Sequence, residues 1–225
     1  MLVVTLLFWF CLESLIVISS LISYLLPDKL FYRWIRLVIK GLFKLFFIRV
    51  SMESGAQIPN EQRLVLIANK PNMISTFALI AFFPKTTRIV ADKKLFRFPF
   101  LGRIVKKLGC IPAVAKKEES LAFAAKLSAY VKKGEAILFY PHNLRQWDSR
   151  VGPFKPEEFN IAKMLKATIV TLAVIGSDRV NPTDTMNIRP GKVVVKVDSV
   201  YNSVTADQLA ALQARYRELL KKEDD

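Results

Sequence analysis

Histidine is almost missing from this sequence. The single imidazole, His142, excludes any site built from several histidine ligands. Only two cysteines are present, Cys11 in the apolar N-terminal stretch and Cys110 far along the chain. They provide neither a disulfide framework nor a metal-binding spacing, so a reduced compartment is expected. No internal repeat occurs, and the one low-complexity segment is the charged end, residues 221–225. Acidic side chains are scarce: 19 Asp and Glu against 34 Lys and Arg leave a net charge of +15. That imbalance calls for an anionic partner, either nucleic acid or the anionic leaflet of a membrane. Basic and aromatic residues interleave as in some RNA binders, but no RNA or DNA motif is recognisable, and no nucleic-acid partner is expected.

What the chain has in quantity is apolar residues. They make up 52% of its 225 positions, and the mean hydropathy is +0.27. The length suits one domain with a real core and a short appendage. Residues 1–26 are apolar except for Glu13 and a few hydroxyl side chains. As a helix rising about 1.5 Å per residue, they would cover the roughly 30 Å hydrocarbon core of a bilayer. A cleaved signal peptide fits less well, since no basic region precedes the run and Ser-Tyr-Leu-Leu-Pro is a poor cleavage site. Pro27 and Asp28 end this helix and open a second over residues 29–49. In the second, Lys29, Arg33, Arg36, Lys40 and Lys44 recur in steps of three and four and share one face. The apolar side suits either the membrane interface, over anionic headgroups, or a protein core. The basic residues follow the first helix, so the positive-inside rule puts the globular domain on the cytoplasmic side. Residues 1–49 are expected to be a membrane-anchoring module and residues 50–225 an α/β domain.

Beyond residue 50, short β-type runs alternate with helical stretches. Strands are expected at 63–68, 87–91, 136–140, 168–174 and 192–197, and helices at 73–83, 118–132 and 157–165. A last helix opens at the capping box Thr205-Ala206-Asp207-Gln208. The alternation predicts an α/β fold with a mainly parallel sheet flanked by helices.

Four blocks punctuate this pattern. Asn69-Lys70-Pro71-Asn72-Met73-Ile74-Ser75 follows a buried strand. Lys93-Lys94-Leu95-Phe96-Arg97-Phe98-Pro99-Phe100-Leu101-Gly102 leads to Gly109-Cys110-Ile111-Pro112. Phe139-Tyr140-Pro141-His142-Asn143-Leu144-Arg145 precedes Phe154-Lys155-Pro156 and Asn160-Ile161-Ala162-Lys163. The fourth is Thr168-Ile169-Val170-Thr171-Leu172-Ala173-Val174. Together, over residues 50–200, they resemble the lysophosphatidic acid acyltransferase family. The second block is the most specific of the four.

The resemblance implies transfer of an acyl chain from acyl-CoA or acyl carrier protein to lysophosphatidic acid, with no cofactor. In the family, the first block reads Asn-His-x-Ser-x-x-Asp. Its His is the base that takes the glycerol hydroxyl proton, and its Asp polarises that His. Here those positions hold Lys70 and Ser75, and a lysine is ordinarily protonated at neutral pH. The third block, Pro-Glu-Gly-Thr-Arg in the family, keeps Pro141 and Arg145; Arg145 is suited to fork onto phosphate. The family's phosphate-binding Arg after Ile-Pro aligns with Ala115, and Lys116 comes one residue late. Thr171 stands where the fourth block usually has Pro. Positions that shape the backbone are largely kept, and positions that do chemistry are mostly replaced.

Two functions follow. One is a catalytically impaired family member, or pseudoenzyme, that binds anionic lipid at the membrane. The other is a divergent active acyltransferase with Lys70, paired with Ser75, or His142 as its base. Lys93, Lys94 and Arg97, with Arg103, Lys106 and Lys107, form a basic cluster beside Phe96, Phe98 and Phe100. This cluster, together with Lys116 and Arg145, is expected to hold lipid phosphate.

Overall fold

The computed structural model describes residues 2–58, 63–68, 72–113, 120–140, 156–182, 185–202 and 214. In chain order the elements are α1 (Leu2–Ile22), α2 (Asp28–Leu45), β1 (Ile48–Ser54), β2 (Leu64–Ala68), α3 (Met73–Phe82), β3 (Thr87–Ala91), a 3-10 turn (Lys93–Arg97), α4 (Leu101–Lys107), β4 (Ile111–Pro112), α5 (Ser120–Lys132), β5 (Ala136–Phe139), α6 (Pro156–Met164), β6 (Thr168–Ile175), α7 (Ser177–Val180) and β7 (Gly191–Tyr201). The fold is α/β with mixed, mostly parallel strands and flanking helices, as expected. The helix expected from Thr205 lies outside the described residues.

The chain forms two compact units. One comprises Met1–Ser51, Asn72–Ala113 and Gly176–Val193; the other comprises Met52–Pro71, Val114–Ile175 and Val194–Asp225. In the second unit β2 runs parallel to both β5 and β6. All five β2 residues are fully buried, which is why it reads as an unbroken apolar run without alternation. Strand β6 pairs antiparallel with β7, and the register slips between Thr171 and Leu172. At the slip the buried Thr171 hydroxyl donates to Ser199 O and accepts from Ser199 N, both at 3.1 Å. A proline at 171 would lack the hydroxyl that satisfies this bulge. The strand expected at 192–197 runs on to Tyr201, because the buried Asp198 breaks the apolar pattern without ending the pairing.

In the first unit β3 and β4 pair in parallel. Helix α1 stops at Ile22, where Ser23 Oγ donates to Ser20 O at 2.6 Å and the backbone turns. Its inner face is tied down along its length. Ile188 N donates to Thr5 Oγ1 at 3.2 Å, Trp9 Nε1 donates to Met186 O at 2.8 Å, and Trp34 Nε1 donates to Ser19 Oγ at 3.2 Å. The fully buried Phe8 packs edge-on against Phe46, with ring centroids 5.0 Å apart. Leu2, Val3, Leu6, Phe10, Ile18 and Leu21 face outward.

Helix α2 ends at Leu45, four residues short of the expected end, because Phe47 takes a left-handed φ of 55° and β1 starts at Ile48. Its apolar face (Phe31, Tyr32, Ile35, Ile39, Leu42, Phe43) is buried, and α2 packs on α3. Of the two roles its apolar side suits, this one is the protein core. The outward face mixes Lys29, Arg33, Lys40 and Lys44 with Leu30, Leu37 and Leu45. Arg36 leaves the basic row to donate from Nε to Ala81 O at 3.0 Å, among the last carbonyls of α3.

Candidate functional site

Helix α3 opens in the first block. Asn72 is its N-cap: the side-chain oxygen accepts from Ser75 N at 2.7 Å, while Ser75 Oγ accepts from Asn72 N at 3.0 Å. This reciprocal pair is a capping box, with serine where the acid or amide usually stands. The Ser75 hydroxyl proton goes to Asn72 O at 2.9 Å. Ser75 is 1% exposed. The backbone N–H and the hydroxyl of this serine are therefore engaged within the first helical turn, and the hydroxyl is a capping group.

No acidic residue stands in the first turn of α3. A carboxylate reaches the turn from elsewhere in the same unit. Gly176, at φ 81°, lets the chain turn from β6 into α7. A Cβ there would collide with the carbonyl oxygen of Lys192, so only glycine fits. The turn puts Asp178 beside Asn72, whose Nδ2 donates to Asp178 Oδ1 at 3.0 Å and to Asn181 O at 3.3 Å. Asp178 thus brings negative charge to a helix end that carries partial positive charge. Nothing in the sequence pointed to it: Asp178 lies 106 positions from its partner.

The remaining expected residues divide in two. Lys70, Lys116, His142 and Arg145 lie outside the described residues. Lys93, Lys94 and Arg97 belong to the 3-10 turn, which Asp92 caps by accepting from Lys94 N at 2.8 Å. From the turn the chain rounds a corner at Phe100, which sits at φ 57°, a costly value for an aromatic residue. Gly102 follows in close contact with the Phe96 backbone, where a Cβ would come within 2.6 Å of the carbonyl oxygen. Lys107 is ion-paired with Asp28 at 3.0 Å. Arg103 donates from Nε to Ser23 Oγ at 2.7 Å, and its guanidinium lies 3.0 Å from the centroid of the Tyr24 ring.

Burial and hydrogen bonding also set one titration. The Tyr32 hydroxyl accepts from Thr87 N at 3.0 Å, and burial pushes its pKa above the usual phenol range.

The 1-acyl-sn-glycerol-3-phosphate acyltransferase of Saccharomyces cerevisiae is 28% identical over 167 residues, 70% of this chain and 54% of that protein. A chloroplastic 1-acyl-sn-glycerol-3-phosphate acyltransferase of Arabidopsis thaliana is 23% identical over 166 residues, 72% of this chain and 46% of that protein. The chain thus spans about half the length of the curated relatives it matches. The crystal structure of the 1-acyl-sn-glycerophosphate (LPA) acyltransferase PlsC from Thermotoga maritima superposes with a TM-score of 0.77, covering 98% of this chain and 93% of that one at 21% identity. That likeness carries the fold. The acyltransferase family model matches residues 49–175, from the start of β1 to the end of β6 and so through all four sequence blocks. With more than half of its length inside that match, the chain belongs to the acyltransferase family.

Proposed function

We propose that this chain is a membrane-associated acyltransferase of the lysophosphatidic acid type, in phospholipid biosynthesis, that binds anionic glycerolipid and has lost efficient acyl transfer. The observation that carries the proposal is the first turn of α3. Where the family places an acid to polarise its base, Ser75 spends its hydroxyl on the cap. Lys70 in the base position, protonated at neutral pH, serves anion binding better than proton removal. Relatives named for acylation of glycerol phosphates supply the lipid class.

The membrane reading rests on α1, which is long and apolar enough to cross a bilayer. Its outward face carries large apolar side chains on both sides of the exposed Glu13, while its inner face is hydrogen-bonded to its own unit. Such a helix seats the unit in the membrane surface, with only one face meeting lipid. The basic residues that follow it favour the cytoplasmic face.

The test is acyl transfer by the detergent-purified full chain, with acyl-CoA or acyl carrier protein as donor and lysophosphatidic acid as acceptor. The wild type should run near background. Lys70→His/Ser75→Asp should raise the rate by about 10²- to 10⁴-fold, the usual contribution of a positioned general base. An acid at position 75 suits the N-terminal turn of a helix, so the double variant should fold. Robust wild-type turnover would refute the proposal, and its loss in Lys70→Ala or His142→Ala would then identify the base.

A further inference from the structure

Within the first unit, the last turn of α1, the 3-10 turn and the start of α4 enclose an open groove of about 480 Å³. Arg97, Arg103 and Lys106 line it, and no Asp or Glu does among the described residues. Arg103 is held in place by Ser23 and by the Tyr24 ring, whereas Arg97 and Lys106 are exposed. The rim is apolar and outward-facing: Leu21, Tyr24, Phe98 and Phe100 are 60%, 68%, 56% and 49% exposed. Leu21 is shared with the apolar strip of α1, being three residues beyond Ile18 on the same helical face. The strip that meets lipid therefore runs directly into the mouth of the groove.

We propose that this groove binds the phosphate-bearing headgroup of an anionic membrane phospholipid. A fixed guanidinium and two exposed cations supply donors for phosphate oxygens. Aromatic side chains around them match the headgroup level of a bilayer, where rings with one apolar side are favoured. The rim decides between a lipid and a soluble anion, because free phosphate gains nothing from four exposed apolar side chains. The inference rests on the reading of α1 as the membrane-seated helix, and the experiment separates the two.

The full-length protein is floated with vesicles of phosphatidylcholine alone and with vesicles that also contain phosphatidic acid, at fixed salt. Three forms are compared: wild type, Arg97→Gln/Lys106→Gln, and the charge-matched control Lys126→Gln/Lys132→Gln on α5. All three should bind neutral vesicles equally through α1. Phosphatidic acid should tighten wild type and control alike. The groove variant should lose roughly 30-fold of that gain, in line with the attraction of two surface cations to an anionic leaflet. Equal losses in the groove variant and the control, with neutral binding intact, would overturn the groove site and leave the membrane reading standing. Failure of the wild type to bind neutral vesicles would overturn both. Displacement from anionic vesicles by inorganic phosphate would assign the groove to a soluble anion and also overturn the proposal.

Discussion

Replacing Asn72 tests whether the first turn of α3 is held by its cap, by the tie to α7, or by both. Asn72→Ala removes the acceptor 2.7 Å from Ser75 N and the donors to Asp178 and Asn181. Loss of an N-cap side chain costs about 1 kcal/mol. The two donor bonds are weaker contributors: Asp178 is exposed, which discounts the charge-assisted bond, and the contact to Asn181 is long, so together they are worth about 1 kcal/mol. The total is about 2 kcal/mol, and for a chain of this length each kcal/mol lowers Tm by about 2–4 °C. Asn72→Ser keeps a good cap and loses only the donors, so it should cost about half as much. Asn72→Asp also keeps the cap, but it sets a second carboxylate beside Asp178 and should fall between the two. Thermal unfolding of the detergent-solubilised chain, followed by circular dichroism, reads this order directly. The mutations Asn72→Ala and Asp178→Ala should also cost less together than the sum of the two alone, since each breaks the same bond. If serine costs as much as alanine, the cap contributes nothing and the account of this turn is wrong.

Other expectations follow from single positions in the same unit. Gly176→Ala should destabilise by more than about 1 kcal/mol, combining left-handed strain with the collision at Lys192 O; a Tm equal to wild type would contradict the backbone described there. Burial raises the pKa of Tyr32 in the folded state, so the neutral phenol favours folding. That contribution is intact below the unfolded value of about 10 and is lost as pH rises from there through the folded value. Urea midpoints should therefore fall more steeply above that pH for wild type than for Tyr32→Phe, and parallel curves would rule out Tyr32 as the titrating group.

Much of the fold was legible before any coordinates. The runs that became β2 and β5 are unbroken apolar segments, and β6 is apolar apart from two threonines; strands buried on both faces need no alternation. Helix α3, expected over 73–83, runs from Met73 to Phe82. The short elements were not legible. The 3-10 turn, α4, β4 and α7 have two to seven residues each, too few for a period to show. The second helix was expected over 29–49 as part of the membrane anchor; it ends at Leu45 with its apolar face in the core. The use of that face was not decidable, because a bilayer and a protein core select the same amphipathic pattern. The structure puts Phe31, Ile35, Ile39 and Phe43 against the core and turns the basic row outward.

By itself, then, the sequence determined what local chemistry can carry. It set the apolar first helix, the excess of basic charge, the strand and helix types, and the acyltransferase blocks. The tertiary structure decided what those residues touch. It closed the Ser75 hydroxyl into the α3 cap, brought Asp178 to Asn72 across 106 positions, and gathered Arg97, Arg103 and Lys106 beside the end of α1. The division has a physical cause: hydrophobic period and capping preference act over a few residues and are written in consecutive letters. A hydrogen bond between distant residues exists only once packing has set the distance between them.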